Sequence, residues 1–174
     1  MADFAECCVR VEEHLLRQYG IRVVTRNVPD PLTADLDGAE IHIDYEAPPE
    51  LRLFLLAHLF GHTVQWNVSP RSFDIGRPHA PPVDEALLAD IVEYEREAAR
   101  YALSMLHELG LFHLDQWLSD FTACDMAYLA HFYRTAEKRP FREFWNDGAD
   151  LLMPSTIPEF VPAKRVFRLD GIVI

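Results

Sequence analysis

The chain has 174 residues, 49% hydrophobic and 25% charged, which is enough apolar chain for one domain with its own core and too apolar for disorder. Lys and Arg number 16 against 28 Asp and Glu, and a formal net charge of −12 argues against a phosphate backbone or an anionic lipid surface as the main partner. Cys7, Cys8 and Cys124 are odd in number, two of them adjacent, and make no disulfide framework; with an acidic N-terminus where a signal peptide would be basic, they point to the cytoplasm.

Residues 3–19 carry Phe4, Cys8, Val11, Leu15 and Leu16 at helical spacing, and Gly20 supplies a stop. Residues 21–28 are β-branched and alternate, predicting a strand. After a polar turn, Ile41, Ile43 and Tyr45 share one face of a second strand over 39–45, expected to pair antiparallel with the first. Pro48 and Pro49 open a helix over 50–67. Residues 69–83, with Pro70, Pro78, Pro81 and Pro82, read as a loop. Long helices follow over 84–107, closed by Gly110, and over 114–138; a short aromatic helix spans 141–147. The tail, broken by Pro154, Pro158 and Pro162, ends in an apolar arm or edge strand at Val173 and Ile174. The sum is an α+β fold: one mostly helical domain, with a small antiparallel or mixed sheet packed on a buried helix.

The chemistry concentrates in that helix. His58 and His62 are four residues apart, so both imidazoles project from one face about a turn apart and can meet a single cation. Leu53, Phe54, Leu55, Leu56, Leu59, Phe60, Val64 and Trp66 make the helix apolar all round and therefore buried. Buried imidazoles need partners, either a metal or hydrogen-bonding groups. The next long helix offers carboxylates. Ile91, Ala98, Tyr101, Ala102, Met105 and Leu106 form its apolar stripe, Glu97 lies beside that stripe, and Glu93 shares a face with Glu97.

AHLFGHTVQW, followed 35 residues after His62 by EAARYALSML, resembles the ImmA/IrrE family of zinc metallopeptidases, a zincin or gluzincin type with an AHE[LF]GH helix and a downstream EAxxFAxxLL helix. The likeness covers roughly residues 20–110 of the single expected domain, leaving 111–174 as C-terminal helices and arm. It implies a zincin-like fold with zinc held by His58, His62 and Glu97, with Glu93 as the substitute ligand. Relatives are often paired with helix-turn-helix repressors, so it implies a protein or peptide partner, with neither nucleic acid nor membrane bound directly.

Leu59 stands where that family has its general-base glutamate, a proton carrier worth typically about 10²–10⁴-fold in rate. Trp66 stands where relatives often carry another histidine. The expected function is therefore a degenerate metallopeptidase, keeping or having lost its divalent metal, with little or no peptidase activity and a regulatory or protein-binding role. The alternatives are an active zinc hydrolase with a base from elsewhere, such as His79 in the proline-rich loop or a glutamate of the 93–97 cluster, and a metal-free interaction protein. His42, on the strand face opposite Ile41 and Ile43, is expected to be exposed, and His107 and His113 to be surface or capping residues.

Overall fold

The computed structural model describes residues 3–28 and 33–165. Among the described residues the helices are α1 (Phe4–Tyr19), α2 (Pro49–Val68), α3 (Pro70–Ile75), α4 (Glu85–Glu108) and α5 (Asp115–Thr135). Three strands precede α2: β1 (Arg22–Arg26), β2 (Ala34–Leu36) and β3 (Glu40–Asp44). Short 3₁₀ turns occupy Phe112–Leu114 and Phe141–Phe144.

Local chemistry sets the boundaries. The Asp3 carboxylate caps α1 by accepting from the Glu6 N–H at 3.1 Å, and Gly20 ends it at φ 69°, where a side chain would be strained. Asp84 caps α4 in the same way through the Leu87 N–H. Pro49 starts α2, where a missing N–H costs nothing. Ser69 caps α3 by accepting from Ser72 N–H, which is why part of the expected loop is helical.

The sheet is mixed, in the order β1–β3–β2, and corrects the expected antiparallel pair. β1 and β3 run parallel, Val24 opposite His42, while β2 pairs antiparallel with β3, Asp35 opposite His42. β2 supplies the reversal that returns β3 to the direction of β1. Its three residues alternate buried, half-buried, buried through Ala34, Asp35 and Leu36. Ile41 and Ile43 join Ala34 and Leu36 in the core, and His42, on the other face, is 9% exposed rather than open to solvent.

α2 is the axis of the molecule. Every residue from Leu53 to Trp66 is buried, and α1, α3, α4 and the sheet pack around it. Fully burying a large apolar side chain stabilises by about 1.5–3 kcal/mol, so Leu53, Phe54, Leu55, Leu56, Leu59 and Phe60 carry much of the core energy. The tightest crossing is with α4 at Gly61, where an added Cβ would overlap the carbonyl of Ala98. Past α5, residues 149–165 cross α4 without regular structure: Arg100 donates to Met153 O at 3.0 Å, Ser104 Oγ to Ser155 O at 2.6 Å, and Ala163 N to Asn67 Oδ1 at 3.0 Å. The arm or edge strand expected at Val173 and Ile174 lies outside the described residues. Among the described residues no helix is long and apolar enough to cross a membrane.

Gly61→Ala should show what the α2–α4 crossing is worth. In an open helix the change gains about 1 kcal/mol, whereas overpacking at a tight contact costs about 1–3 kcal/mol. Denaturant unfolding should show a net loss; unchanged or higher stability would mean that the helices part freely at this point.

Candidate metal centre

His58 and His62 both turn from α2 toward α4, and Glu95 of α4 meets them. The Glu95 carboxylate lies 3.0 Å from His62 Nε2 and 3.5 Å from His58 Nε2, and the two imidazole nitrogens are 3.1 Å apart. The histidines are 5% and 1% exposed. The sequence placed Glu97 here, and the structure corrects it. Ile91, Glu95, Ala98, Ala102 and Met105 succeed one another at spacings of four and three, so Glu95 falls within the stripe that faces α2. Glu97, one residue from Ala98, is turned about 100° away from that contact line. Its carboxylate accepts from Gln65 Nε2 at 2.7 Å and from the Tyr101 hydroxyl at 3.4 Å. The substitute, Glu93, is exposed and pairs with Arg96 at 2.6 Å.

Gln65, which the sequence reading passed over, fixes the proton on His62. Its Nε2 faces two pure acceptors, Tyr94 O at 2.9 Å and the Glu97 carboxylate. The amide group must therefore turn Oε1 toward His62 Nδ1, 2.9 Å away, so Nδ1 carries the hydrogen. A neutral His62 then presents the lone pair of Nε2 to His58 and Glu95. Burial, with His62 adding to it, pushes His58 down to about 3 against the opposing pull of Glu95, so His58 is neutral over the physiological range. A neutral His58 can offer one hydrogen to this cluster. The 3.0 Å contact between His62 Nε2 and Glu95 is then a meeting of lone pairs, which a cation or an extra proton must bridge.

The donor set suits a transition-metal cation. Two imidazole nitrogens and a carboxylate oxygen are ordinary zinc ligands, and donors about 2.0–2.1 Å from a tetrahedral zinc stand about 3.3–3.4 Å apart. The separations of 3.0, 3.1 and 3.5 Å bracket that spacing. The Nδ1–H of His62 bonded to Gln65 is the outer contact that orients a ligating imidazole.

The surroundings close the centre. Tyr94 stacks on His62 with centroids 4.4 Å apart, and its hydroxyl accepts from Trp66 Nε1 at 2.8 Å. Gly76, after α3, lies against this pair; a Cβ there would come within 2.6 Å of the Tyr94 hydroxyl. On the other side Phe54 stacks on His58 at 5.3 Å. The opening that reaches His62 and Glu95, between Ile75, Ile91 and Tyr133, holds about 40 Å³, room for one or two waters. Leu59 is fully buried in the main core.

His79 is occupied elsewhere, its Nε2–H donating to Ile75 O at 2.9 Å. His107 pairs with Asp115 at 2.8 Å, and His113 is exposed. The sequence reading also missed Asp125 of α5. Burial, and then the Glu95 charge, push its carboxyl well above the ordinary carboxylate range. Its only signal in the sequence is its place between Phe121 and Tyr128 on the buried face of α5.

No protein-family model matches the chain, and no curated protein is similar to it. Among solved structures it is similar to a Mycobacterium tuberculosis transcriptional regulator, at 14% identity and a TM-score of 0.32, over 69% of this chain and 37% of that one. The chain thus spans little more than a third of that regulator, and a likeness of this strength carries no conclusion about fold or function.

Gln65→Ala should lower metal affinity about 10–100-fold while leaving the three donors in place; competition with a chromogenic chelator measures it, and an unchanged affinity would detach Gln65 from the centre. The two perturbed groups act in opposite directions on the metal-free fold. The stability that depends on neutral His58 is complete above its ordinary value near 6.5 and is lost as pH falls toward about 3. Asp125, with its folded value raised, favours the fold most at low pH and less as pH rises above the ordinary carboxylate range. Asp125→Asn in chelator-treated protein should therefore stabilise more at pH 8 than at pH 5, read by thermal unfolding. Equal gains at both would show that Asp125 titrates normally.

Proposed function

We propose that His58, His62 and Glu95 bind one divalent transition-metal ion, zinc by its donor set, in a protein that resembles the ImmA/IrrE metallopeptidases but does not cleave peptides. The observation that carries this reading is the facing of His62 Nε2 and Glu95 at 3.0 Å with the hydrogen of His62 committed to Gln65, a contact a cation resolves. Bound zinc would supply Lewis acidity and hold α2 to α4. The chain's own residues favour the second role. Leu59 offers no proton transfer, His79 is tied to the backbone, and the 40 Å³ opening admits no peptide segment. The metal is then chiefly a cross-link, and function lies in the surface that the cross-linked helices present. A regulatory protein partner, of the helix-turn-helix repressor kind, is what the family resemblance suggests.

Elemental analysis of purified, zinc-loaded and desalted protein tests the reading. One equivalent of zinc, abolished in the His58→Ala, His62→Ala double variant, is expected, together with no chelator-sensitive hydrolysis of casein by the wild type. Metal retained in full by the double variant would remove the centre, and zinc-dependent proteolysis lost in His62→Ala would make the protein an enzyme.

A further inference from the structure

A second cavity, of about 320 Å³, opens between the first turns of α2, the middle of α5 and the Phe141–Phe144 turn. Its size lies at the lower end of small-molecule sites, about 300–1,000 Å³. Its walls are aromatic. Phe54 and Phe121 stack at 4.5 Å and 24°, and Phe141 follows at 6.2 Å from Phe121. Leu51 and Pro48 complete the apolar lining.

The polar groups on this slot are unequal. The Glu50 carboxylate already has a partner for each oxygen, Trp117 Nε1 at 3.2 Å and Arg142 Nη2 at 3.5 Å. Arg142 is bound more loosely. Its guanidinium lies over Trp145 at 4.4 Å and Phe121 at 5.2 Å, and among the described residues this long contact with Glu50 is its one hydrogen bond. A guanidinium has five N–H donors, so most remain to be used. Thr33 adds a hydroxyl that is buried and, among the described residues, has no hydrogen-bond partner. The unspent hydrogen-bonding capacity of an otherwise aromatic slot is thus mostly donor, on an Arg142 guanidinium whose charge is balanced by Glu50 only at 3.5 Å. That combination selects a ligand with an apolar body and an acidic head, which a guanidinium receives through two parallel hydrogen bonds. A cationic ligand would face Arg142 and find Glu50 already engaged.

We infer that this slot binds a small aromatic or aliphatic carboxylic acid, with its apolar body between Phe54, Phe121 and Phe141 and its carboxylate on Arg142. Occupancy requires no metal at His58 and His62. Trp145, stacked under Arg142, reports on it.

The test uses the 174-residue chain and three probes of one shape: 4-phenylbutyrate, 4-phenylbutanol and 4-phenylbutylamine. Calorimetry and tryptophan fluorescence should show saturable 1:1 binding of the acid, at least tenfold tighter than the alcohol, with the amine weakest. Arg142→Gln should reduce acid affinity to the level of the alcohol and leave the alcohol unchanged. Leu51→Trp, with native circular dichroism as the check on folding, should block both. Absence of saturable acid binding to the wild type at millimolar concentration would overturn the inference, as would equal affinity for all three probes or unchanged acid binding by Arg142→Gln.

Discussion

The contact between Gly61 and the backbone of Ala98 governs the geometry of the candidate centre. Only a residue without a Cβ lets α2 and α4 approach so closely. His62 follows Gly61 directly, and His58 precedes it by three residues. Glu95 precedes Ala98 by three. The crossing point thus lies beside the histidine pair on one helix and one turn beyond the carboxylate on the other. A wider crossing would leave Glu95 short of both imidazoles and open the core to solvent.

Burial makes that arrangement consequential. A helix with no exposed face must satisfy each polar side chain internally or leave it at a cost of about 1–3 kcal/mol. Along α2 the solutions differ. Thr63 donates back to Leu59 O at 2.8 Å, Asn67 donates to Gly38 O at 2.8 Å, and Trp66 donates to Tyr94. Gln65 links Tyr94, Glu97 and His62 in one chain of hydrogen bonds. His62 Nε2 and Glu95 stand apart from this pattern, because their contact holds two acceptors and no assigned hydrogen. Within α2 this is the one polar contact without an assigned donor, and a cation or a second imidazole proton would complete it.

Much of this was legible in the sequence, for identifiable reasons. Helical periodicity located α1, α4 and α5, because each has an apolar stripe long enough to outweigh local noise, and α2 was legible from Pro48 and Pro49 and from a long apolar run with no polar face. The spacing of His58 and His62 gave the shared face directly. The third candidate donor was misread because Glu97 lies beside the apolar stripe and the likeness to EAxxFA favoured it, whereas the 3–4 progression through Ile91, Ala98 and Ala102 passes through Glu95. The stripe carried the better signal, since a helix contact is set by which side of the cylinder faces its neighbour. β2 was missed because three residues with an aspartate in the middle show too little alternation, and without β2 the parallel pairing of β1 and β3 could not be anticipated. Gln65 gave no pattern, and Asp125 only its place on the buried face of α5; their surroundings come from elements distant in the chain.

The assignment of the third donor to Glu95 can be read most directly with cobalt(II), which occupies tetrahedral zinc sites and reports its coordination in visible absorption. Titration of metal-free wild type, Glu95→Gln and Glu97→Gln would compare the two carboxylates under identical conditions. With Glu95 as ligand, intense tetrahedral bands are expected in the wild type, retained with weakened affinity in Glu97→Gln, and lost or collapsed in Glu95→Gln. Bands that survive unchanged in Glu95→Gln and vanish in Glu97→Gln would contradict that assignment.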